Sequence, residues 1–89
     1  MNITKHAYIR ASERIGTDKR RTKDMARAAL TNGISFNSVK DPLRSYLAGL
    51  RRGRPKSVKI KLYRGFIYVF RHKKLLTVYE VPENMIQGD

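Results

Sequence analysis

Two periods run through the chain, and one gives way to the other near Gly53. Before that point apolar residues recur at three- and four-residue spacings, as in helices with one buried side. Thr4 has the side chain of an N-cap, and a first helix is predicted over 5–15, closed by Gly16. Ala7, Tyr8, Ala11 and Ile15 fall within one arc of about 100°, while His6, Arg10, Glu13 and Arg14 occupy another. Thr17 or Asp18 is placed to cap a second helix over 19–32, ended by Asn32-Gly33, with Thr22, Met25, Ala26, Ala29 and Leu30 toward the core. A loop follows through Ile34, Ser35, Phe36 and Asn37, with Phe36 turned inward. Asp41-Pro42 is the clearest helix start, a capping carboxylate followed by proline at the first helical position. Leu43, Tyr46, Leu47 and Leu50 then form an i, i+3, i+4, i+7 stripe up to Gly53.

Beyond Gly53 the period is two. Val58, Ile60 and Leu62 alternate with Lys59, Lys61 and Tyr63, which predicts a half-buried strand. Arg64-Gly65 is a two-residue hairpin signal, and 66–71 is apolar or aromatic on both faces, as a central strand requires. His72-Lys73-Lys74 makes the next turn, and a third strand over 75–81 is halted by Pro82. The expected fold is α+β: three helices followed by a three-stranded antiparallel β-meander, with the helices packed on one face of the sheet. Ile3-Thr4 adds a short edge strand to this expectation. Residues 1–82 read as a single basic domain and 83–89 as a C-terminal tail.

Charge changes the picture more than composition does. Twenty Lys and Arg stand against seven Asp and Glu in 89 residues, a formal net charge of +13. Self-repulsion on this scale costs stability, and a polyanionic partner offsets it. Nucleic acid is the leading partner, with RNA favoured over DNA; an acidic protein, such as an antitoxin or a host nuclease complex, is the other. The helices carry Ala, Leu and Met on their apolar sides rather than the bulky residues of a membrane-surface helix, so no membrane partner is expected. No apolar run is long enough to span a bilayer, and residues 1–6 lack the apolar segment of a secretory signal, so a cytoplasmic protein is expected. Without cysteine there is neither a disulfide framework nor a thiol nucleophile. The carboxylates are too scattered for a two-metal site, and neither metal nor cofactor is expected.

Cations concentrate in Arg51-Arg52-Gly53-Arg54-Pro55-Lys56 and continue through Lys59, Lys61 and Arg64, with Arg20, Arg21 and Lys23 as a second group on the second helix. Such residues neutralise phosphates and release counterions. The first run reads as a flexible arm along a phosphate backbone, or else as a helix end whose dipole attracts cations. Asp41 begins the third helix eight residues after Gly33, a longer connection than a helix-turn-helix uses, though a pair formed by the second and third helices would suit DNA.

One grouping suggests chemistry. His6 stands one and two turns before Arg10 and Arg14 on the same helical face. A histidine that moves a proton and arginines that stabilise phosphate charge are the parts of metal-independent RNA cleavage. Thr77 and Tyr79 are weaker candidates to complete such a site from the sheet. The alternative for His6 is a plain helix-start histidine, packed or exposed.

The run Ile3-Thr4-Lys5-His6-Ala7, followed by Arg10 and Glu13-Arg14, resembles the start of small prokaryotic and phage proteins of the RelE/BrnT-type toxin group, within the barnase–EndoU–colicin–RelE fold group. The likeness covers residues 3–15 and, more loosely, 58–82. It implies helices on an antiparallel sheet and, in many members, RNA cleavage without metal, which assigns His6, Arg10 and Arg14 as the helix positions of interest. The extra helix over 41–53 and the lack of a RelE-like catalytic tail depart from that pattern. Three functions follow in order: an RNA-binding module, a toxin-like endoribonuclease, and a phage-type inhibitor that binds an acidic protein or a ribonucleoprotein defence complex.

Overall fold

The computed structural model describes residues 1–83; of the tail expected at 83–89, residues 84–89 lie outside the described residues. The chain runs β1 (Asn2–Ile3), α1 (Lys5–Arg14), α2 (Lys19–Asn32), β2 (Ile34–Ser35), a 3₁₀ turn (Phe36–Ser38), α3 (Leu43–Arg51), β3 (Val58–Tyr63), β4 (Phe66–Arg71) and β5 (Lys74–Glu80). The α+β class stands, but the three-stranded antiparallel meander does not. Among the described residues the sheet has five strands in the order β1-β5-β4-β3-β2, and β1 runs parallel to β5. The helices are interleaved with strands, β1 preceding α1 and β2 falling between α2 and α3, instead of preceding every strand of the sheet.

Nor do the helices share one face. Ala7 and Ala11 of α1 and Ala26 and Ala29 of α2 pack with Tyr68, Phe70, Leu75 and Val78. Leu43 and Leu47 of α3 pack on the opposite side with Val58, Ile60, Ile67 and Val69. The physical reason is β4: Ile67, Tyr68, Val69 and Phe70 are all buried, two on each side, so both faces of the sheet need a cover. Alanines let α1 and α2 approach the sheet closely.

Local signals place the ends of α1 and α2. Thr4 Oγ1 accepts from the Ala7 N–H at 3.0 Å and donates to the Leu76 carbonyl at 3.1 Å, so one side chain caps α1 and ties it to β5. Asp18 Oδ1 accepts from the Arg21 N–H at 2.8 Å at the start of α2. Asp41 acts one residue further out than expected. Its Oδ1 accepts from the N–H and hydroxyl of Ser45, at 3.1 and 2.6 Å, and the helix begins at Leu43. Gly33 ends α2 without the left-handed backbone that Asn-Gly suggests, since its φ is −66°. Glycine is needed there for space: a Cβ would lie 2.4 Å from the Ala29 carbonyl oxygen and 3.1 Å from Lys61 Cβ.

Leu76 is the extra residue of a bulge, because Val69 pairs with Thr77 and Phe70 with Leu75. The bulge puts Leu75 and Val78, three apart, on the α1 side of β5. Two stability predictions follow from these contacts. Thr4→Val loses the cap and the tie and is expected to cost about 1–2 kcal/mol, a drop of roughly 4–8 °C in melting temperature per kcal/mol. Gly33→Ala forces α2 away from β3 and costs about 1–3 kcal/mol. Thermal melts followed by circular dichroism check both.

Candidate nucleic-acid interface

The grouping on α1 disperses once side chains are placed. His6 lies exposed in the first turn. Arg10 donates from Nη1 to Glu13 Oε1 at 2.7 Å, an exposed pair that contributes little to stability. Arg14 turns to the sheet edge: Nη1 donates to the Val78 carbonyl at 2.6 Å, and the guanidinium lies 4.9 Å from the Tyr79 ring centroid. Thr77 pairs with Val69 and is buried on the α3 side of the sheet, where Tyr79 also packs. Arg54 Nη2 donates to the Tyr79 hydroxyl at 3.5 Å. The structure therefore brings together Arg14, Tyr79 and Arg54, and keeps His6 and Arg10 apart from Thr77.

The second set of cations is better gathered. On β3, Val58 and Ile60 enter the α3-side core, whereas Lys59 and Lys61 lie opposite Phe70 and Tyr68 and so point to the α2 side. Strand β2 pairs only with Lys61 and Leu62, and among the described residues no strand covers the outer edge of 58–60. There the chain departs through the 3₁₀ turn, and Phe36 sits half-buried against the α3-side core with the guanidiniums of Arg44 and Arg51 at 5.6 and 5.7 Å from its ring centroid. A hollow of about 270 Å³ runs along this edge, walled by Ser35, Phe36, Asn37, Arg51, Lys56 and residues 58–61.

Two more hollows adjoin it. One, at the end of α3, is walled by Phe36, Ala48, Arg51, Arg52, Arg54 and Lys56. The other lies on the α2 side, between Leu30, Ser57, Lys59, Lys61, Phe70, His72 and Lys73. Among the described residues no carboxylate lines any of the three. The segment read as a flexible arm is a folded turn: Arg54 Nε donates to the Leu50 carbonyl at 3.1 Å, Arg51 Nη2 to the Lys56 carbonyl at 3.4 Å, and Gly53 supplies the positive φ of 80° that reverses the chain.

Of the ten cations singled out in the sequence, Arg51, Arg52, Arg54, Lys56, Lys59 and Lys61 meet at these hollows. Arg20 and Arg21 share a separate, mixed-charge hollow with Asp18 and Asp24, and Lys23 is exposed on the same helix. Arg64 is at the β3–β4 turn, its Nε donating to the Tyr63 hydroxyl at 3.3 Å. Sequence reasoning missed Phe36 as a wall residue, and also His72 and Lys73. The signal for Phe36 was a lone aromatic in a polar stretch next to the basic third helix. Among the described residues no group of three or more His, Asp or Glu is placed to hold a metal ion. No helix there is long and apolar enough to cross a membrane. Comparison with known protein families, with curated proteins and with solved structures finds no match to this chain.

Two buried hydroxyls, on Tyr68 and Thr77, have no hydrogen-bond partner among the described residues. Burial first, and the neighbouring Tyr63 second, push the Tyr68 phenol up to about 12. In the unfolded chain a tyrosine ionises near pH 10. The stability that goes with the neutral phenol is thus complete below about pH 10 and is lost as the pH rises toward 12. Tyr68→Phe is expected to lack that alkaline loss, measured by denaturant midpoints between pH 9 and pH 12. Thr77→Val, which removes an unpaired buried hydroxyl, is expected to raise stability by about 1 kcal/mol at pH 7.

Proposed function

We propose that this protein binds nucleic acid, RNA in preference to DNA, through the cations that surround the edge of β3, and that it does so in the cytoplasm. The observation that carries this reading is charge segregation. Six Lys and Arg from α3, the turn after it and β3 wall adjoining hollows to which no carboxylate among the described residues contributes, while Asp18, Asp24 and Glu13 lie with α1 and α2 and Asp41 is held by Ser45 at the other end of α3. A surface of one sign with an aromatic wall suits a polyphosphate chain. The preference for RNA draws on the helices: α2 and α3 cover opposite faces of the sheet, so they do not form the helix-turn-helix pair that would enter a DNA major groove.

Fluorescence anisotropy with labelled RNA tests the proposal. Six phosphate contacts to a single strand give a log–log salt slope of about −4. Lys59→Gln is expected to weaken binding and to reduce the slope by about 0.7, whereas Arg20→Gln, beside Asp18 and Asp24, leaves both unchanged. A salt-independent interaction, or equal effects of the two substitutions, would sink this assignment.

A further inference from the structure

The three hollows are not separate sites. Phe36, Arg51 and Lys56 belong to both the edge hollow and the one at the end of α3, and Lys59 and Lys61 belong to both the edge hollow and the one on the α2 side. Shared walls make one trail. It starts on the α3 face, crosses the sheet at the uncovered stretch 58–60, and ends on the α2 face at the His72-Lys73 turn. The trail thus bends round the rim of the sheet.

That bend selects among nucleic acids. Duplex DNA is stiff over about 50 nm, against a longest dimension of 32 Å for this protein, and a duplex does not fold round one strand of a sheet. A single strand turns at every phosphate and follows a cationic groove. At the crossing, Phe36 and the guanidinium of Arg51 offer flat surfaces of the kind on which bases stack. An acidic peptide added as a strand to β3 would lie in the plane of the sheet. Lys59 and Lys61 point out of that plane into the α2-side hollow they share with His72 and Lys73, so a peptide confined to the β3 edge leaves the far end of the trail unneutralised.

Resting on the nucleic-acid reading above, we infer that the ligand is a single-stranded RNA whose backbone bends round the open edge of β3, from Arg52 past Phe36 to Lys73. Seven Lys and Arg line this course, which corresponds to about seven phosphates.

The test is anisotropy on the full chain with unstructured RNA oligomers of increasing length, the same sequence as a blunt RNA duplex, and an unstructured poly-glutamate of matching charge. Affinity is expected to rise with length up to about eight nucleotides and then level off, with the duplex and poly-glutamate at least tenfold weaker. Lys73→Gly removes the terminal cation and at the same time relaxes a backbone φ of 62°, so it does not act by unfolding. This variant is expected to bind a 12-mer roughly five- to tenfold more weakly and to level off at a shorter length. Arg52→Gln does the same from the other end. Duplex binding as tight as the single strand, or a Lys73→Gly variant with unchanged affinity, overturns the bent path while leaving nucleic-acid binding in place. Binding of poly-glutamate alone, with no RNA bound at physiological salt, overturns both.

Discussion

Strand β4 sets the terms for everything around it. Ile67 and Val69 point one way, Tyr68 and Phe70 the other, and water reaches neither side. Each face left bare would expose two large side chains, and burying one such side chain stabilises by roughly 1.5–3 kcal/mol. With three short helices available, the chain divides them: α1 and α2 on one side, α3 on the other. That division places the cationic end of α3 on one face and the β4–β5 turn within reach of α2 on the other, which is why a single line of positive charge has to pass over the rim between them.

The two rims of the sheet are handled differently. At the β5 rim, β1 pairs with only two residues, and Thr4 and Arg14 take up the carbonyls of Leu76 and Val78 beyond it. Arg14 is also held by the Tyr79 ring, and Arg54 reaches the same tyrosine from the α3 side. These contacts give two of the most suggestive polar residues of the chain a structural occupation. At the β3 rim, β2 pairs with Lys61 and Leu62 and, among the described residues, no strand pairs with the outer edge of 58–60. Lysines flank it, as they do on many sheet edges that must not pair with another chain. Edge protection accounts for one or two of these charges and leaves the turn 51–56 and the β4–β5 turn unexplained.

Much of this fold can be read from local chemistry. Thr4, Asp18 and the change of period after Gly53 locate α1, α2 and the three long strands, because caps and alternation act over a few residues. Strand β1 lies one residue before the edge strand expected at Ile3-Thr4, but its parallel pairing depends on a partner 72 positions away, and β2, two residues long, is too short for alternation to show. Which face each helix covers is likewise decided by β4 and not by the helices themselves. The candidate interface divides along the same line. The run from Arg51 to Lys61 is visible as a cluster because it is continuous in sequence. Phe36 and Lys73 join it only through folding, and the neat spacing of His6, Arg10 and Arg14 says nothing about Glu13 or the Val78 carbonyl, which hold two of the three.

The pairing of Asn2 with Lys74 and Ile3 with Leu75 has a consequence for the order of assembly. Of the described helices α1 is synthesised before the others, yet its seat is made after them, since the surface under α1 is β5 and β5 follows every other described strand in the chain. Until then Ala7 and Ala11 have no sheet to pack on, and α1 must rely on its own cap in a length at which isolated helices are marginal. Strand β1 and helix α1 therefore wait for β5, so long-range contact rather than local helix formation governs how fast this sheet is completed.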